Sequence, residues 1–379
     1  MAALLVVLGG AASASTPSAS VSAAGGASAP AVPSIKDVIC VKSCLGLRRA
    51  TTGGLIQVSG RNLASVSRMT FAAADGRVSA RVTEAADTTA EARVPPEAIS
   101  GKVRVRDDYG NASRLSPTAL EVLPPTALSA AGQLVLAEAE TSPPKAYFFG
   151  VQAPRLRYVI GSDQELNDLR IDVVSSVGEI VKSIFRADVE ANTTQTVRWN
   201  GKTTAGRAAP NGAYRFQISS ASGRRAAPPA SRADTSLGFK LFGFIFPVRG
   251  PHTYGDGIGA PRAGHTHQGQ DVFARCGAKL VAARGGRVQY AGYHGAAGNY
   301  IVIDGRATGI DFVYMHLLAP APFRTGQIVR TGQRIGQVGE TGNSSGCHLH
   351  YEMWGPPGWY EGGQFLDPTP PLRRWDRYS

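Results

Sequence analysis

The stretch GCHLHYEMW, Gly346 to Trp354, sets two histidines at alternate positions in a segment that otherwise reads as a strand. Side chains two apart on a strand point to the same face, roughly 7 Å apart along the chain. His348 and His350 therefore look into one space. Two imidazoles converging there suggest a metal, a catalytic pair, or both. The plainer reading is two solvated surface histidines, and an isolated H-x-H favours it. The rest of the chain has to decide.

All seven histidines lie between His252 and His350, so the last part of the chain is where chemistry is expected. The 379 residues suffice for about two to four domains. Frequent glycine (45) and proline (24), with only 8% aromatics, suit β-domains with many turns. The net charge of +12 is spread along the chain. No dense basic run is present, which argues against a nucleic-acid arm. A diffuse positive surface favours loose association with a polyanion such as a bacterial wall.

Ala2 to Leu8 form a short apolar run followed by an A-x-A-like site at Ala12 to Ala14. Residues 1–14 thus read as a secretory signal peptide, atypical in lacking a basic start. No other run is long enough to span a membrane; Leu241 to Val248 fits a buried strand. The expected location is extracellular or wall-associated. Four cysteines in a secreted chain favour disulfides. Cys40 and Cys44 are close enough to pair locally, which leaves Cys276 with Cys347, although sequence excludes no other pairing.

Residues 15–34 are a flexible Ala/Ser/Gly/Pro linker. From 35 to 123 short alternating segments such as LIQVSG and KVRVRD, separated by turn residues, read as a β-sandwich. Residues 124–142 read as a second connector, 143–221 as another β-module, and 222–240 as a third linker. The connectors' Pro/Ala/Ser-rich composition suggests that the modules move as independent bodies. Residues 241–379 again read as β. GGRVQYAGYHGAAGNYIVIDG is a hairpin, and IDFVYMHL alternates Phe312, Tyr314 and His316 on one face. No amphipathic helix of useful length is visible there. The fold class is all-β, with two immunoglobulin-like β-sandwich modules preceding a mainly antiparallel domain.

In GHTHQGQDVFA, Gly264 to Ala274, His267 and Asp271 are four apart around Gly269. Nitrogen and carboxylate oxygen are ligand types zinc accepts. Glycine in the turn lets both side chains point inward without conflict. His265 is a rival ligand, or simply solvated. His316 alone is best read as a satisfied core histidine. With the H-x-H, however, three separated segments supply one aspartate and four histidines to one small β-domain. Three protein ligands and an open position make a catalytic zinc site, and two residues remain for acid–base and oxyanion duties.

HQGQD at His267, YMHL at Tyr314 and TGNSSGCHLHYE at Thr341, in this order, resemble the motifs of the lysostaphin-like (LytM-type) zinc metallopeptidases that cut peptidoglycan cross-bridges. The resemblance covers roughly 246–356. Upstream, VSGRNL resembles the start of an IPT/TIG-type immunoglobulin-like module, and residues 143–222 resemble the immunoglobulin-like module of flagellar hook-cap proteins. The metallopeptidase resemblance implies one zinc per chain, held by His267, Asp271 and His350. It makes His316 and His348 the catalytic pair that handles the substrate and its water, and peptidoglycan the partner. Glu352 has the parity of the two histidines and is expected to be structural. A Cys276–Cys347 disulfide would tie the first and last ligand segments together. Two other classes stand against a peptidase. A regulator that activates amidases by contact would usually have lost metal ligands. A wall scaffold would leave five site residues unexplained.

Overall fold

The computed structural model describes residues 31–125, 135–162, 166–221, 237–262 and 264–379. The expected signal peptide 1–14 and most of the linker 15–34 lie outside the described residues, as do 126–134 and 222–236 of the later connectors. The fold is all-β, as expected, with one short helix at the end.

The first unit wraps a seven-stranded antiparallel-dominated sheet around its own core. The strands run in the order Ser34–Gly46, Arg49–Arg61, Thr89–Arg93, Gly76–Ala86, Val66–Ala73, Ala98–Asp107, and Glu121–Leu123 joins Arg49–Arg61 in parallel. Alternation drives it: Met69 and Phe71 are buried while Arg68 and Thr70, which alternate with them, face outward. The second unit stacks a three-stranded sheet against a five-stranded one around Tyr158, Trp199, Phe216 and Phe239.

Two connector expectations are corrected here. Val135–Ser142, assigned to the connector 124–142, is a strand paired antiparallel with Arg155–Gly161. Its Leu136 and Ala139 enter the core; the Pro/Ala-rich residues before it masked that alternation. Gly238–Phe242 straddles the expected boundary at 241. It pairs with Gly212–Ser220 and with Lys145–Tyr147, burying Phe239 and Leu241 in the second unit.

The units are also tied to one another, against the expectation of independent bodies. Thr194 Oγ1 donates to Cys40 O at 2.5 Å, Cys44 N to Asn192 O at 2.7 Å, and Arg157 bridges to Asp37 at 3.2 Å. Further on, Thr331 Oγ1 donates to Phe148 O at 2.7 Å, while Arg306 and Arg330 flank the Phe149 ring at 4.7 and 4.6 Å. Phe242 stacks on Tyr378 at 4.0 Å. Connector composition reports only on the connector; it carries no information about the surfaces that meet.

The last unit is an eight-stranded sheet with a three-stranded sheet packed on it. Gln270–Ala274, His348–Trp354, Asp311–Leu317, Gly298–Gly305 and Gly286–His294 lie side by side, all antiparallel. The expected hairpin is the last pair. Leu349, Tyr351, Phe312, Tyr314 and Ile303 form the core on one face; the other face carries the histidines. Helix Thr369–Asp376 was not expected. It has eight residues, too few for a periodic signal. Two prolines start it, and it buries Leu372 and Trp375 in the core. Both disulfides are present, Cys40–Cys44 and Cys276–Cys347. No helix among the described residues is long and apolar enough to cross a membrane.

Candidate active site

The antiparallel register sets Asp271 directly opposite His350 and Phe273 opposite His348. Opposed residues share a face, so Asp271, His348 and His350 project together. His267 enters from the segment before the strand; its N–H donates to Ala260 O at 2.9 Å. Gly269 permits the approach. A Cβ there would lie 2.4 Å from Tyr351 O and 2.9 Å from His350 Nε2. The glycine is required for space rather than for an unusual φ.

His267 Nε2, Asp271 Oδ1 and His350 Nδ1 lie 2.9 to 3.1 Å from one another. The outer ring atoms fix the tautomers. His267 Nδ1 is 2.8 Å from Gly257 O, and a carbonyl only accepts, so Nδ1 carries the proton. His350 Nε2 is 2.9 Å from Glu352 Oε1 and donates to it. Neutral imidazoles so anchored turn bare nitrogens inward. Three lone pairs then converge with no hydrogen between them, which hydrogen bonding cannot satisfy and a cation can. Two nitrogens and one carboxylate oxygen fit zinc with a fourth position open.

Without a cation, protons take its place between the three donors. Burial opposes ionisation of Asp271, but in that metal-free state hydrogen bonds from the inward nitrogens of His267 and His350 outweigh it and hold its carboxyl well below the usual range. Burial opposes charge on His350, yet the Asp271 and Glu352 carboxylates push its pKa up to about 9. Arg262 ties off the far oxygen, with Nη2 3.2 Å from Asp271 Oδ2 and Nη1 2.9 Å from Asp256. Neither Arg262 nor Asp256 was legible as a site residue.

Glu352 was expected to be structural; it lies under His350 as its hydrogen-bond acceptor. Its other oxygen accepts from Trp354 Nε1 at 2.7 Å and Trp359 Nε1 at 3.2 Å. Parity alone pointed to it. His265 is exposed and outside the three-donor group.

His316 corrects another expectation. Simple alternation would place it with Tyr314, whose hydroxyl is deep in the core accepting from Ala283 N at 2.8 Å. Instead the pairing slips by one between Tyr314 and Leu317, and His316 takes φ +58°. This left-handed conformation, uncommon outside glycine, turns the ring to the opposite face. There it lies 4.7 Å from the His348 ring and 6.1 Å from that of His350. His316 Nδ1 donates to Thr341 O at 2.8 Å and His348 Nδ1 to Gly346 O at 2.8 Å. Their Nε2 atoms are therefore bare; that of His348 lies 3.5 Å from Asp271 Oδ1. Burial pushes the His316 pKa down to about 4, only partly opposed by the Thr341 carbonyl.

The model of peptidase family M23 matches residues 265–368. An L-Ala--D-Glu endopeptidase of Bacillus subtilis is 35% identical over 163 residues, 37% of this chain and 48% of that protein. The peptidoglycan DD-endopeptidase ShyC of Vibrio cholerae is 41% identical over 87 residues, 23% of this chain and 20% of its own. The chain thus spans about half of one relative and about a fifth of the other. The catalytic domain of lysostaphin from Staphylococcus simulans is 30% identical, covering 32% of this chain and 92% of that domain, with a TM-score of 0.30. Residues 265–368 hold all five members of the cluster, and this carboxy-terminal part of the chain belongs to peptidase family M23.

Proposed function

We propose that the protein is a secreted, zinc-dependent endopeptidase that hydrolyses peptide bonds in the cross-links or stem peptides of bacterial peptidoglycan. The observation that carries this reading is the convergence of three bare donors beside two further imidazoles whose own bare nitrogens face the same space. His267, Asp271 and His350 are the metal ligands. Zinc supplies Lewis acidity, polarising a carbonyl and acidifying water. His316 and His348 do the rest. Each has Nδ1 fixed by a backbone carbonyl, so Nε2 is held ready to orient the attacking water, accept its proton and later return it. The low basicity of His316 keeps it unprotonated near neutral pH. The ring that has taken the proton then carries the N–H that can face the oxyanion as charge develops, before it returns that proton to the leaving amine. The names of the relatives support peptidoglycan as substrate, and two disulfides suit an oxidising compartment. Residues 35–123 and 143–221 serve as immunoglobulin-like spacer modules, each with its own core.

The test is digestion of purified peptidoglycan by the full chain, with and without a chelator, beside His350→Ala. Free amines and muropeptide masses are followed. Release of cleaved peptides that depends on metal and on His350 is expected, and the masses name the bond. Stoichiometric zinc without any cleavage would overturn the enzymatic reading.

A further inference from the structure

The first unit carries an arrangement that folding alone does not require. On the outer face of its sheet, Arg81, Arg68 and Arg106 stand abreast, each directly opposite the next across three strands. All three are exposed. Adjacent strands lie about 4.8 Å apart, so the row packs three like charges within about 10 Å. The next rung is Ser79, Thr70 and Arg104, about 7 Å along the strands. The rung after it places Arg77 opposite Ala72. The Arg77 guanidinium crosses back over the face to Thr70 O and Lys102 O at 3.1 and 2.8 Å. Burial and the charge of Arg104 lower its pKa.

Like charges directly opposite on a sheet repel, and proteins ordinarily relieve this with an interleaved carboxylate. None does so here: among the described residues, no ion pair involves Arg68, Arg77, Arg81, Arg104 or Arg106. Elsewhere the same chain pairs its arginines, as Arg48 and Arg157 with Asp37 and Glu140. In its rungs the face carries arginine, serine, threonine and alanine, with Ile99 beside Ala72 at the end of the third.

We infer that this arginine ladder is the docking surface for a linear, phosphate-bearing polyanion. Guanidinium forks match phosphate oxygens two at a time and neutralise several repeats at once. A row of charges at fixed spacing rewards a repeating ligand over a single ion. The absence of aromatic rings from the rungs disfavours single-stranded nucleic acid, whose bases need stacking partners. The inference is independent of the site on residues 265–368 and holds whether or not that site hydrolyses peptide.

The experiment uses the full chain and long-chain inorganic polyphosphate, with binding followed by fluorescence anisotropy at several salt concentrations. The ladder variant is Arg68→Gln/Arg81→Gln/Arg106→Gln. The control, Arg275→Gln/Arg324→Gln/Arg334→Gln, removes the same charge from exposed positions elsewhere. We expect the wild type and the control to bind, and the ladder variant to bind at least tenfold more weakly. The slope of log affinity against log salt should shrink by roughly two to three. A melting temperature equal to or above that of the wild type shows that the ladder variant is folded, since repulsion has been relieved. Equal weakening in both triples would overturn the inference in favour of net charge alone. Tighter binding of single-stranded DNA or poly-glutamate than of polyphosphate at equal charge would overturn the assignment of the ligand.

Discussion

Replacing Glu352 with glutamine removes one charge and almost no volume from beneath the three-donor cluster. Three N–H groups aim at this carboxylate: His350 Nε2 at one oxygen, Trp354 Nε1 and Trp359 Nε1 at the other. An amide offers one oxygen and one NH2. If its oxygen faces His350, both indoles meet a donor, and each unsatisfied buried group costs about 1–3 kcal/mol. If its oxygen faces the indoles, the NH2 meets His350 Nε2 and drives that ring to the other tautomer. His350 Nδ1 then carries the proton and is no longer a ligand. Either orientation acts on the metal through His350. Groups that orient ligating histidines contribute about 10–100-fold in metal affinity, or about 1.4–2.7 kcal/mol. Competition with a chromophoric chelator reads this for the full chain, and a cooperative thermal melt reports that the fold persists. An unchanged zinc dissociation constant in a folded Glu352→Gln protein would refute the anchoring role of Glu352 and, with it, the tautomer assigned to His350.

Gly269→Ala puts a methyl against Tyr351 O and His350 Nε2; a loss of about 1–3 kcal/mol together with lowered zinc content is expected in thermal melts and metal analysis. Arg262→Met frees Asp271 Oδ2; because Arg262 is partly exposed, about a tenfold loss of zinc affinity, at the low end of the range for such partners, is expected from chelator competition, and an unaltered value refutes the clamp. The third concerns pH in chelated protein. His316 titrates near 4 when folded and near 6.5 when unfolded, so the unfolded chain binds more protons between those values. Its contribution is therefore present above about pH 6.5 and lost as pH falls toward 4, by up to about 3 kcal/mol. Denaturant melts at both ends should show a steeper acid loss in the wild type than in His316→Gln, and equal slopes would refute the shift.

The sequence made the site legible wherever local periodicity governs it. HLHYE alternates without interruption, so His348, His350 and Glu352 share a face, as their spacing requires. The same rule failed at His316, where one slipped pair and a left-handed residue invert the parity. Nothing in YMHL announces that inversion; it is held from outside, by His316 N donating to Ala297 O and its ring to Thr341 O. Trp359 and Arg262 were likewise invisible, because one reaches the site from a turn and the other from a two-residue strand, segments whose course depends on the whole fold. The connectors erred for a different reason. Composition averages over a window, and Val135–Ser142 is a strand next to residues that are not.

What separates the two histidines of the H-x-H is the atom behind each ring. His348 rests on a carbonyl, that of Gly346, as His316 rests on that of Thr341. His350 rests on a carboxylate. A neutral acceptor fixes a tautomer and raises the basicity of the bare nitrogen only in part against burial. An anionic acceptor fixes the tautomer and also raises electron density across the ring, favouring either a proton or a cation on the inward face. Burial works against charge on His350, and the carboxylates on both sides overcome it; on His316 nothing comparable opposes burial. The two proposed jobs need this contrast. A ligand gains from being a strong donor fixed in place, whereas an acid–base group must give up its proton as readily as it takes one. Gly346→Asp, at a position where a side chain meets open space, keeps the carbonyl and adds an anion near His348; it should make that ring a stronger base and a poorer acid, lowering turnover in peptidoglycan digestion while zinc stays bound, and unchanged turnover would refute the contrast.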